Sequence, residues 1–396
     1  MLPTNANTVR DALTTARSVL REAALLGIER VAGVGASDIP VDTTAVTPAW
    51  LTRALQRRFR GVRVAALEPL GDTHGTTSRA RFRVAYDAAG NGADPPNSIF
   101  LKLAPGAFAT RLFVNVMRLG WTEVRFYQTL APHVPIVLPQ ALAAECAGRS
   151  QRFAIVFEDL TASGVRFMNV SEHVSLDDAR TVMQALARLH AHFWSAPEFH
   201  TDWVWLKSRD RNPNYAVERL VCAMAVKPAL RRFADLVPAE LRDAAPRIIA
   251  CRDHLEDAWA APPLTLVHGD AHVGNLYFTD TDVGFLDWQV VQRGQGMRDV
   301  SYFLINSVPT DVRRAHQRSL IESYLTTLAA HGVSRPDFEV AWHQYRLHAF
   351  YAWIAAVVTA AAGRLQEEAI VRAGLTRSSN ALLDLESLAT LDQLCT

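Results

Sequence analysis

The chain has 396 residues, of which 49% are apolar, and its 41 basic side chains nearly balance its 40 acidic ones. This length allows a large core divided between two or three lobes or domains. No block of basic residues stands out, so the composition gives no reason to expect a nucleic-acid partner. Only three basic residues are lysines (Lys102, Lys207 and Lys227), which makes each of them a candidate for a specific role.

The four cysteines, Cys146, Cys222, Cys251 and Cys395, are far apart and include no C-x-x-C pair. They predict neither a zinc knuckle nor a disulfide framework, which fits a reducing, cytoplasmic location. The N-terminal segment lacks the unbroken apolar core of a signal peptide and has the spacing of a short amphipathic helix. The uncharged stretch 349–363 is shorter than a membrane span, so we expect a buried helix there.

In chain order, residues 1–58 have helical spacing, and Thr47 with Pro48 supplies an N-cap and a first-turn proline to a second helix. Three short β-branched or alternating runs then indicate strands separated by turn-rich breaks. Helical spacing returns at 118–132, and two more strands are expected within 136–160. These elements predict a small strand-rich lobe.

Beyond that lobe the spacing is mostly helical, interrupted only at 264–290, where two short apolar runs predict strands around a polar loop. The outline is an α+β fold of two lobes that meet near residue 158. We expect an N-terminal helical extension (1–58), a β-rich lobe (59–157) and a helical lobe (158–396).

The polar loop reads VHGDAHVGNLYF and allows two interpretations. His268, Asp270 and His272 alternate, as ligands of a metal-dependent hydrolase would, but the glycines favour a loop over a strand and no second His-rich cluster is present. Asp270 and Asn275 are five residues apart, and Asp287 follows on the next strand. That spacing is typical of kinase-type sites, where one carboxylate orients the acceptor hydroxyl and hard oxygen ligands hold Mg²⁺.

HGDAHVGN followed by LDW resembles the catalytic motifs of the aminoglycoside phosphotransferase and choline kinase superfamily. Other segments occur in the order that this superfamily uses: TPAWLTRAL, SIFLKLAP, EVRFYQTLAP, FEDL, LARLHAHFW, LDWQ and RDVSYFL. The D-W-Q triplet is most similar to the ecdysteroid-kinase-like branch. The resemblance implies a bilobal protein-kinase-like fold, ATP and Mg²⁺ as cofactors, and phosphate transfer to a hydroxyl of a small molecule.

The resemblance also implies roles for individual residues. Asp270 matches the catalytic aspartate, and Asn275 and Asp287 match the Mg²⁺ ligands. Lys102 matches the lysine that holds the α- and β-phosphates, and Glu123 matches the carboxylate that pairs with that lysine. His268 and the acid of RDVSYFL (Asp299) are expected to support the loop, and His272 is expected to be a loop residue more than a ligand.

Two further nucleotide-binding segments are less specific. The turn GDTHGTTS, with Gly75 and Thr76, is expected to cover the phosphates through its backbone N–H groups, although a plain hairpin explains it nearly as well. Glu158, Asp159 and Leu160 match the segment that joins the lobes. Its backbone reaches the adenine in this superfamily, so we expect side-chain substitutions there to matter little.

The acceptor is the least defined part of the prediction. From residue 341 onward there are five acids and four arginines, so no acidic cluster favours a polycationic antibiotic. The helical lobe contains aromatic residues that either line an apolar pocket or belong to the core: Trp194, Trp203, Trp205, Trp342, Tyr345, Phe350, Tyr351 and Trp353. We expect a neutral, hydrophobic alcohol, with a choline-like amine or an aminoglycoside as alternatives. A catalytically silent nucleotide-binding module and a metal-dependent hydrolase are the alternatives of another class.

Overall fold

Five antiparallel strands form the sheet of the first lobe. The computed structural model describes residues 6–32, 38–88, 94–363 and 366–395. The strands are β1 (Arg63–His74), β2 (Ser78–Ala88), β3 (Ser98–Leu103), β4 (Ala141–Cys146) and β5 (Phe153–Glu158). They lie side by side in the order β1-β2-β3-β5-β4. All five coincide with runs that the sequence predicts as strands.

The described residues of this first part of the chain also form four α-helices: α1 (Ala6–Ala32), α2 (Pro48–Gln56), α3 (Phe108–Val116) and α4 (Leu119–Thr129). The Thr47 hydroxyl accepts the N–H of Trp50, so the predicted N-cap of α2 is present. Helix α3 was not predicted from spacing. Its buried face includes Arg111 and Asn115, which both donate to the carbonyl oxygen of Ser150.

Alternation along β3 decides which side chains face the second lobe. Ile99, Leu101 and Leu103 are fully buried in the cluster that the sheet forms with α2. Phe100 and Lys102 therefore lie on the opposite face, because successive residues of a strand point to opposite sides. This face looks toward the space between the lobes.

The second lobe contains nine helices among the described residues: α5 (Leu176–His192), α6 (Tyr215–Arg232), α7 (Ala239–Ala250), α8 (Arg252–Trp259), α9 (Met297–Asn306), α10 (Thr310–Ala330), α11 (Phe338–Ala361), α12 (Glu368–Asp384) and α13 (Ser387–Leu394). Its short strands are β6 (Arg166–Phe167), β7 (Thr265–Val267), β8 (Leu276–Phe278), β9 (Val283–Phe285) and β10 (Gln292–Gly294). β10 pairs with β7, and β8 lies between β6 and β9. The predicted α+β fold of a β-rich lobe and a mainly helical lobe is confirmed.

Helix α11 contains most of the uncharged stretch near the C-terminus. Ala349, Phe350, Ala352 and Trp353 are fully buried in the core of the second lobe, as expected for a buried helix. Within the described ranges no helix combines the length and apolarity needed to cross a membrane.

Two cysteines correct a prediction. Cys251 and Cys395 form a disulfide, with their Cα atoms 6.1 Å apart, whereas the sequence predicted no such pairing. The two residues are 144 positions apart, and they meet because α13 packs against α8. The spacing of the cysteines along the chain does not indicate that these two residues are close in space. Cys146 and Cys222 are free.

Candidate active site

The polar loop lies between β7 and β8, and the first turn of α9 supports its backbone. The two carboxylate oxygens of Asp299 accept the N–H groups of His268 (2.7 Å) and Gly269 (2.9 Å). Burial by itself raises the pKa of Asp299, but the neighbouring His190 and these backbone donors outweigh it and lower the pKa. Asp299 therefore supports the loop as an ionised carboxylate, in the position that the sequence predicts.

Gly269 is required by the path of the loop. Its φ angle is +84°, and a Cβ atom at this position would lie 2.6 Å from the carbonyl oxygen of Val290. Only glycine adopts this conformation without strain and also leaves room for the neighbouring backbone. On the other side, the Tyr351 hydroxyl donates to the Gly269 carbonyl oxygen at 2.6 Å.

The two loop histidines are engaged by backbone groups. Nε2 of His268 lies 2.7 Å from the carbonyl oxygen of Leu286 and therefore carries the proton, while Nδ1 accepts the N–H of Asp270 at 3.2 Å. Nδ1 of His272 accepts the N–H of Gly274. In the described part of the chain, no group of three or more His, Cys, Asp and Glu side chains is arranged to hold a metal ion.

Asn275 orients the Asp270 carboxylate. Nδ2 of Asn275 donates to Oδ2 of Asp270 at 3.0 Å and to its carbonyl oxygen at 2.9 Å. Burial and the nearby Asp270 carboxylate raise the pKa of Tyr302 well above its usual range. The Asp270 side chain keeps 27% of its surface exposed, so a carboxylate of fixed orientation faces open space.

Lys102, Glu123 and Asp287 form a buried ion cluster. Nζ of Lys102 lies 2.6 Å from Oε2 of Glu123 and 2.9 Å from Oδ1 of Asp287. Burial lowers the pKa of Lys102, but the two carboxylates outweigh this effect and raise it. Burial raises the pKa of Glu123 to about 7, whereas the pKa of Asp287 is lowered because Lys102 and Arg79 outweigh the effect of burial. The structure thus brings together three residues that are separated by as many as 185 positions.

Two aromatic rings anchor α4 beside this cluster. The rings of Phe126 and Trp288 are stacked at 4.2 Å with an interplanar angle of 7°. Phe126 is three residues after Glu123 and lies on the same side of the helix. Trp288 follows Asp287, which has a positive φ of 61°, a strained conformation that often marks functional positions. Sequence reasoning quoted LDWQ but gave Trp288 no role.

The chemistry of the donor set at Asn275 and Asp287 fits Mg²⁺. Both residues line the same wall, and both supply hard oxygen atoms. The amide nitrogen of Asn275 is used by Asp270, and its amide oxygen has no donor among the residues described, which leaves that oxygen for a ligand. Mg²⁺ sites on proteins commonly need only one or two such ligands besides phosphate and water.

Two cavities meet at the polar loop. The interlobe cleft has a volume of about 200 Å³, and its wall includes six of the predicted site residues: Lys102, Glu123, Glu158, Leu160, Asn275 and Asp287. The large cavity has a volume of about 580 Å³, and Gly269 and Asp270 lie on its wall. Because Asp270 and Asn275 are hydrogen-bonded to each other, the loop forms the boundary between the two spaces.

The segment that joins the lobes depends on one side chain more than the sequence suggested. The Asp159 carboxylate accepts hydrogen bonds from Arg81 (2.9 Å), Ser98 (2.5 Å) and Thr161 (2.6 Å). Burial raises its pKa, but these donors outweigh burial and lower the pKa to about 2. The expectation that side chains matter little here therefore needs revision at Asp159. Among the described residues, by contrast, the Glu158 carboxylate accepts a single hydrogen bond, from the backbone N–H of Gln140.

The predicted phosphate-covering turn is placed differently from the expectation. Residues 71–74 belong to β1, so the turn contains only 75–77. Thr76 lies on the wall of the large cavity, and Gly75 is on the wall of neither cavity. Instead, Arg79 and Arg81 of β2 line the interlobe cleft beside Phe100 and Lys102, their partners in register on β3. Their signal was the alternation of arginines with the buried Ala80 and Phe82.

The aromatic residues of the second lobe divide between core and cavity. Tyr345, Phe350 and Trp353 are fully buried and belong to the core. Trp205 and Tyr351 line the large cavity, together with Trp121 and Trp259, which sequence reasoning did not include. The sequence left two alternatives for these aromatic residues, that they line a pocket or that they belong to the core. Each alternative holds for some of them.

Arg298 and Tyr302 are further cavity residues that the sequence analysis missed. Both lie within the quoted segment RDVSYFL, one helical turn apart and on either side of Asp299. Their i, i+4 spacing places them on the same face of α9, which was the available signal.

Comparison with known proteins agrees with this geometry. Residues 76–333 match the Ecdysteroid kinase-like family. Comparison with curated proteins finds no match. Among solved structures, a choline kinase from Cryptosporidium parvum has a TM-score of 0.52 at 10% identity, covering 88% of this chain and 100% of its own.

Two aminoglycoside phosphotransferase structures are similar to a comparable degree. A protein from Ralstonia eutropha, assigned provisionally to that class, has a TM-score of 0.52 at 15% identity and covers 86% of this chain and 97% of its own. The GDP complex of aminoglycoside 2'-phosphotransferase-IIIa has a TM-score of 0.51 at 13% identity and covers 86% and 99%. These likenesses establish the shared kinase-like fold, and the family and fold together support a kinase or phosphotransferase. The family match covers well over half of the sequence, and the chain belongs to the Ecdysteroid kinase-like family.

Proposed function

We propose that this chain is an ATP-dependent phosphotransferase that moves the γ-phosphate to a hydroxyl group of a small hydrophobic molecule. The observation that carries the proposal is the position of the Asp270 carboxylate. It is oriented by Asn275 and lies between the interlobe cleft and the large cavity. Phosphoryl transfer depends mostly on positioning and charge stabilisation, which such an arrangement provides.

Each polar group of the cleft has a role in this reaction. Lys102 would hold the α- and β-phosphates, and Glu123 fixes the position of its ammonium group. Asn275 and Asp287 would hold Mg²⁺, which neutralises charge on the phosphates when it is bound. Before a nucleotide enters, the charge of Lys102 is shared between Glu123 and Asp287, so the cluster is stable without ligand.

Asp270 acts on the acceptor. Its free carboxylate oxygen would accept the proton of the acceptor hydroxyl while the hydroxyl oxygen attacks the γ-phosphorus. The bond between that phosphorus and the β–γ bridging oxygen breaks, and ADP leaves with the electron pair. The products are a phosphate monoester and ADP. The Asp270 side chain needs only to be oriented and solvent-accessible, as its partial exposure allows.

The wall of the large cavity supports a hydrophobic acceptor. Trp205, Tyr351, Ile354 and Val358 contribute apolar surface. Basic side chains outnumber acidic ones on the same wall, which disfavours an aminoglycoside and a choline-like amine. The uncharged acceptor that the sequence predicts would contact the apolar part of this wall. It would offer no group for the arginines of the wall to bind.

The test is a screen for ADP release with Mg·ATP, repeated with Mg·GTP, over sterols, polyols, hydroxylated acids, choline-like amines and aminoglycosides. We expect turnover with a hydrophobic hydroxylated compound and its loss in Asp270→Ala. Preferred turnover of an aminoglycoside would contradict the proposed acceptor class, and normal turnover by Asp270→Ala would contradict the mechanism.

A further inference from the structure

The large cavity has an unbalanced charge on its wall. Seven basic side chains line it, against three acidic ones. Five of the seven form ion pairs with carboxylates, as Lys207 does with Glu218 and Arg252 with Glu256. Arg118 and Arg298 differ, because no carboxylate of the described residues lies within 4.0 Å of either guanidinium. Two cations therefore face the cavity without an anionic partner among the described residues.

Aromatic rings hold these two guanidinium groups instead. The Cζ atom of Arg298 lies 3.7 Å from the ring centroid of Tyr351, and that of Arg118 lies 4.0 Å from the ring centroid of Trp121. The face of an aromatic ring stabilises a cation through the quadrupole of the ring, but unlike a carboxylate it does not neutralise the positive charge. The N–H groups in the guanidinium plane stay available for a bidentate anion. The Nε atom of Arg298 is buried and has no hydrogen-bond partner.

Arg298 is attached to the scaffold that holds the catalytic loop. It precedes Asp299, whose carboxylate binds the backbone of Gly269. Tyr351, the ring beneath the guanidinium, donates its hydroxyl to the carbonyl oxygen of that same glycine. A ligand group bound by Arg298 therefore has a fixed relation to Asp270, the next residue of the loop.

We propose that the acceptor is a hydrophobic hydroxy acid, whose anionic group binds Arg298 while its hydroxyl meets Asp270. This inference rests on the proposed function and replaces the neutral acceptor with one that carries a carboxylate or a similar anion. The apolar wall binds the hydrophobic body of the acceptor. The Arg298 guanidinium group binds the anionic group of the acceptor and so determines its orientation in the cavity. A neutral alcohol of the same shape would leave the half-buried Arg298 cation without an anionic partner, which a polar site penalises.

The test compares matched compounds and matched variants. ω-Hydroxylauric acid and a hydroxylated bile acid are each paired with the methyl ester, and turnover with Mg·ATP is measured by ADP release. In the wild-type protein we expect kcat/KM for the acids to exceed that for the esters by roughly tenfold to a hundredfold, the value of one charged hydrogen-bonded contact. Arg298→Gln should raise KM for the acids by a similar factor and leave the esters unchanged, and Arg298→Lys should restore part of the loss.

Arg180→Gln is the control variant, because this exposed arginine of α5 pairs with Asp177 away from both cavities. Mg·ATP binding and the thermal midpoint of Arg298→Gln should match the wild type, which separates ligand recognition from folding. Equal use of acids and esters, or equal effects of Arg298→Gln on both, would overturn the inference while the phosphotransferase function stands.

Calorimetric binding of ω-hydroxylauric acid without nucleotide covers the case in which no compound is turned over. Binding that Arg298→Gln abolishes would support the anion site even if the proposed function failed. Absence of binding to the wild-type protein would overturn the site.

Discussion

The interlobe cleft and the large cavity differ in how completely their charged side chains are paired. In the cleft the charged groups satisfy one another, since Lys102 is held by Glu123 and Asp287 and Arg81 is held by Asp159. In the large cavity, Arg298 rests on an aromatic ring with no carboxylate beside it among the described residues. In the proposed reaction the cleft binds a nucleotide whose charges are the same for every acceptor, whereas we propose that the charge retained in the cavity selects among acceptors. Under this proposal, different sets of residues determine the reaction and the acceptor.

The largest effect should follow from Asp270→Ala, at the boundary between the two regions. Turnover should fall by roughly 10²- to 10⁴-fold, the usual value of a positioned general base. Nucleotide affinity should stay close to wild type, because Asp270 lines the large cavity and not the cleft. Steady-state kinetics and nucleotide titration measure the two quantities. A parallel loss of nucleotide affinity would mean that the two regions are not separable at this residue.

Lys102→Met tests whether the charged side chains of the cleft stabilise one another. It leaves Glu123 as a buried carboxylate without its ion-pair partner and Asp287 with only the more distant Arg79, and removing one partner of a buried pair costs about 3–5 kcal/mol of stability. Nucleotide binding should also be lost. The control is Lys227→Met, an exposed lysine of α6. Unfolding by denaturant and nucleotide titration give the readouts, and an unchanged unfolding free energy would contradict the buried cluster.

Asp159→Asn tests whether the joining segment depends on its side chain. With a folded-state pKa of about 2 against an ordinary value of 3.8, this carboxylate contributes about 2 kcal/mol of stability. The pKa is depressed on folding, so the contribution is present above pH 3.8 and is lost as the pH falls toward 2. The variant should be less stable at neutral pH and should lose this part of the acid dependence. Asp177→Asn, at an exposed site, should change neither.

Phe126→Leu should have the smallest effect of the series and the most specific one. It keeps an apolar side chain but removes the stack on Trp288, which contributes about 1 kcal/mol beyond its burial. Because the stack anchors α4, nucleotide affinity should fall together with stability. Phe350→Leu, a buried change in α11, should lower stability without changing nucleotide affinity. Equal nucleotide affinities in the two variants would argue against a role for the stack.

The cleft was largely predictable because its residues lie in contiguous motifs with clear periodicity. Lys102 ends an alternating run, Glu123 lies on a helix of regular spacing, and Asp270 and Asn275 share one short loop. The structure brings these residues together as the resemblance implies. Their roles in catalysis stay predictions until they are tested.

The large cavity was not predictable in the same way. Its wall combines single residues from elements far apart in the chain, such as Arg118, Trp205 and Trp259, and no local pattern indicates that they lie together. Tertiary packing likewise determines which cysteines meet. Helix α3 was also missed, although its residues have amphipathic helical spacing.

The most direct measurement follows the fate of a labelled γ-phosphate. Incubation with γ-labelled ATP, Mg²⁺ and the acceptor found by screening should place the label on the acceptor as a phosphate monoester, in a 1:1 ratio to the ADP formed. Asp270→Ala should abolish this transfer. Label recovered only as inorganic phosphate in the presence of the acceptor, or undiminished transfer by Asp270→Ala, would contradict a phosphotransferase that uses this loop.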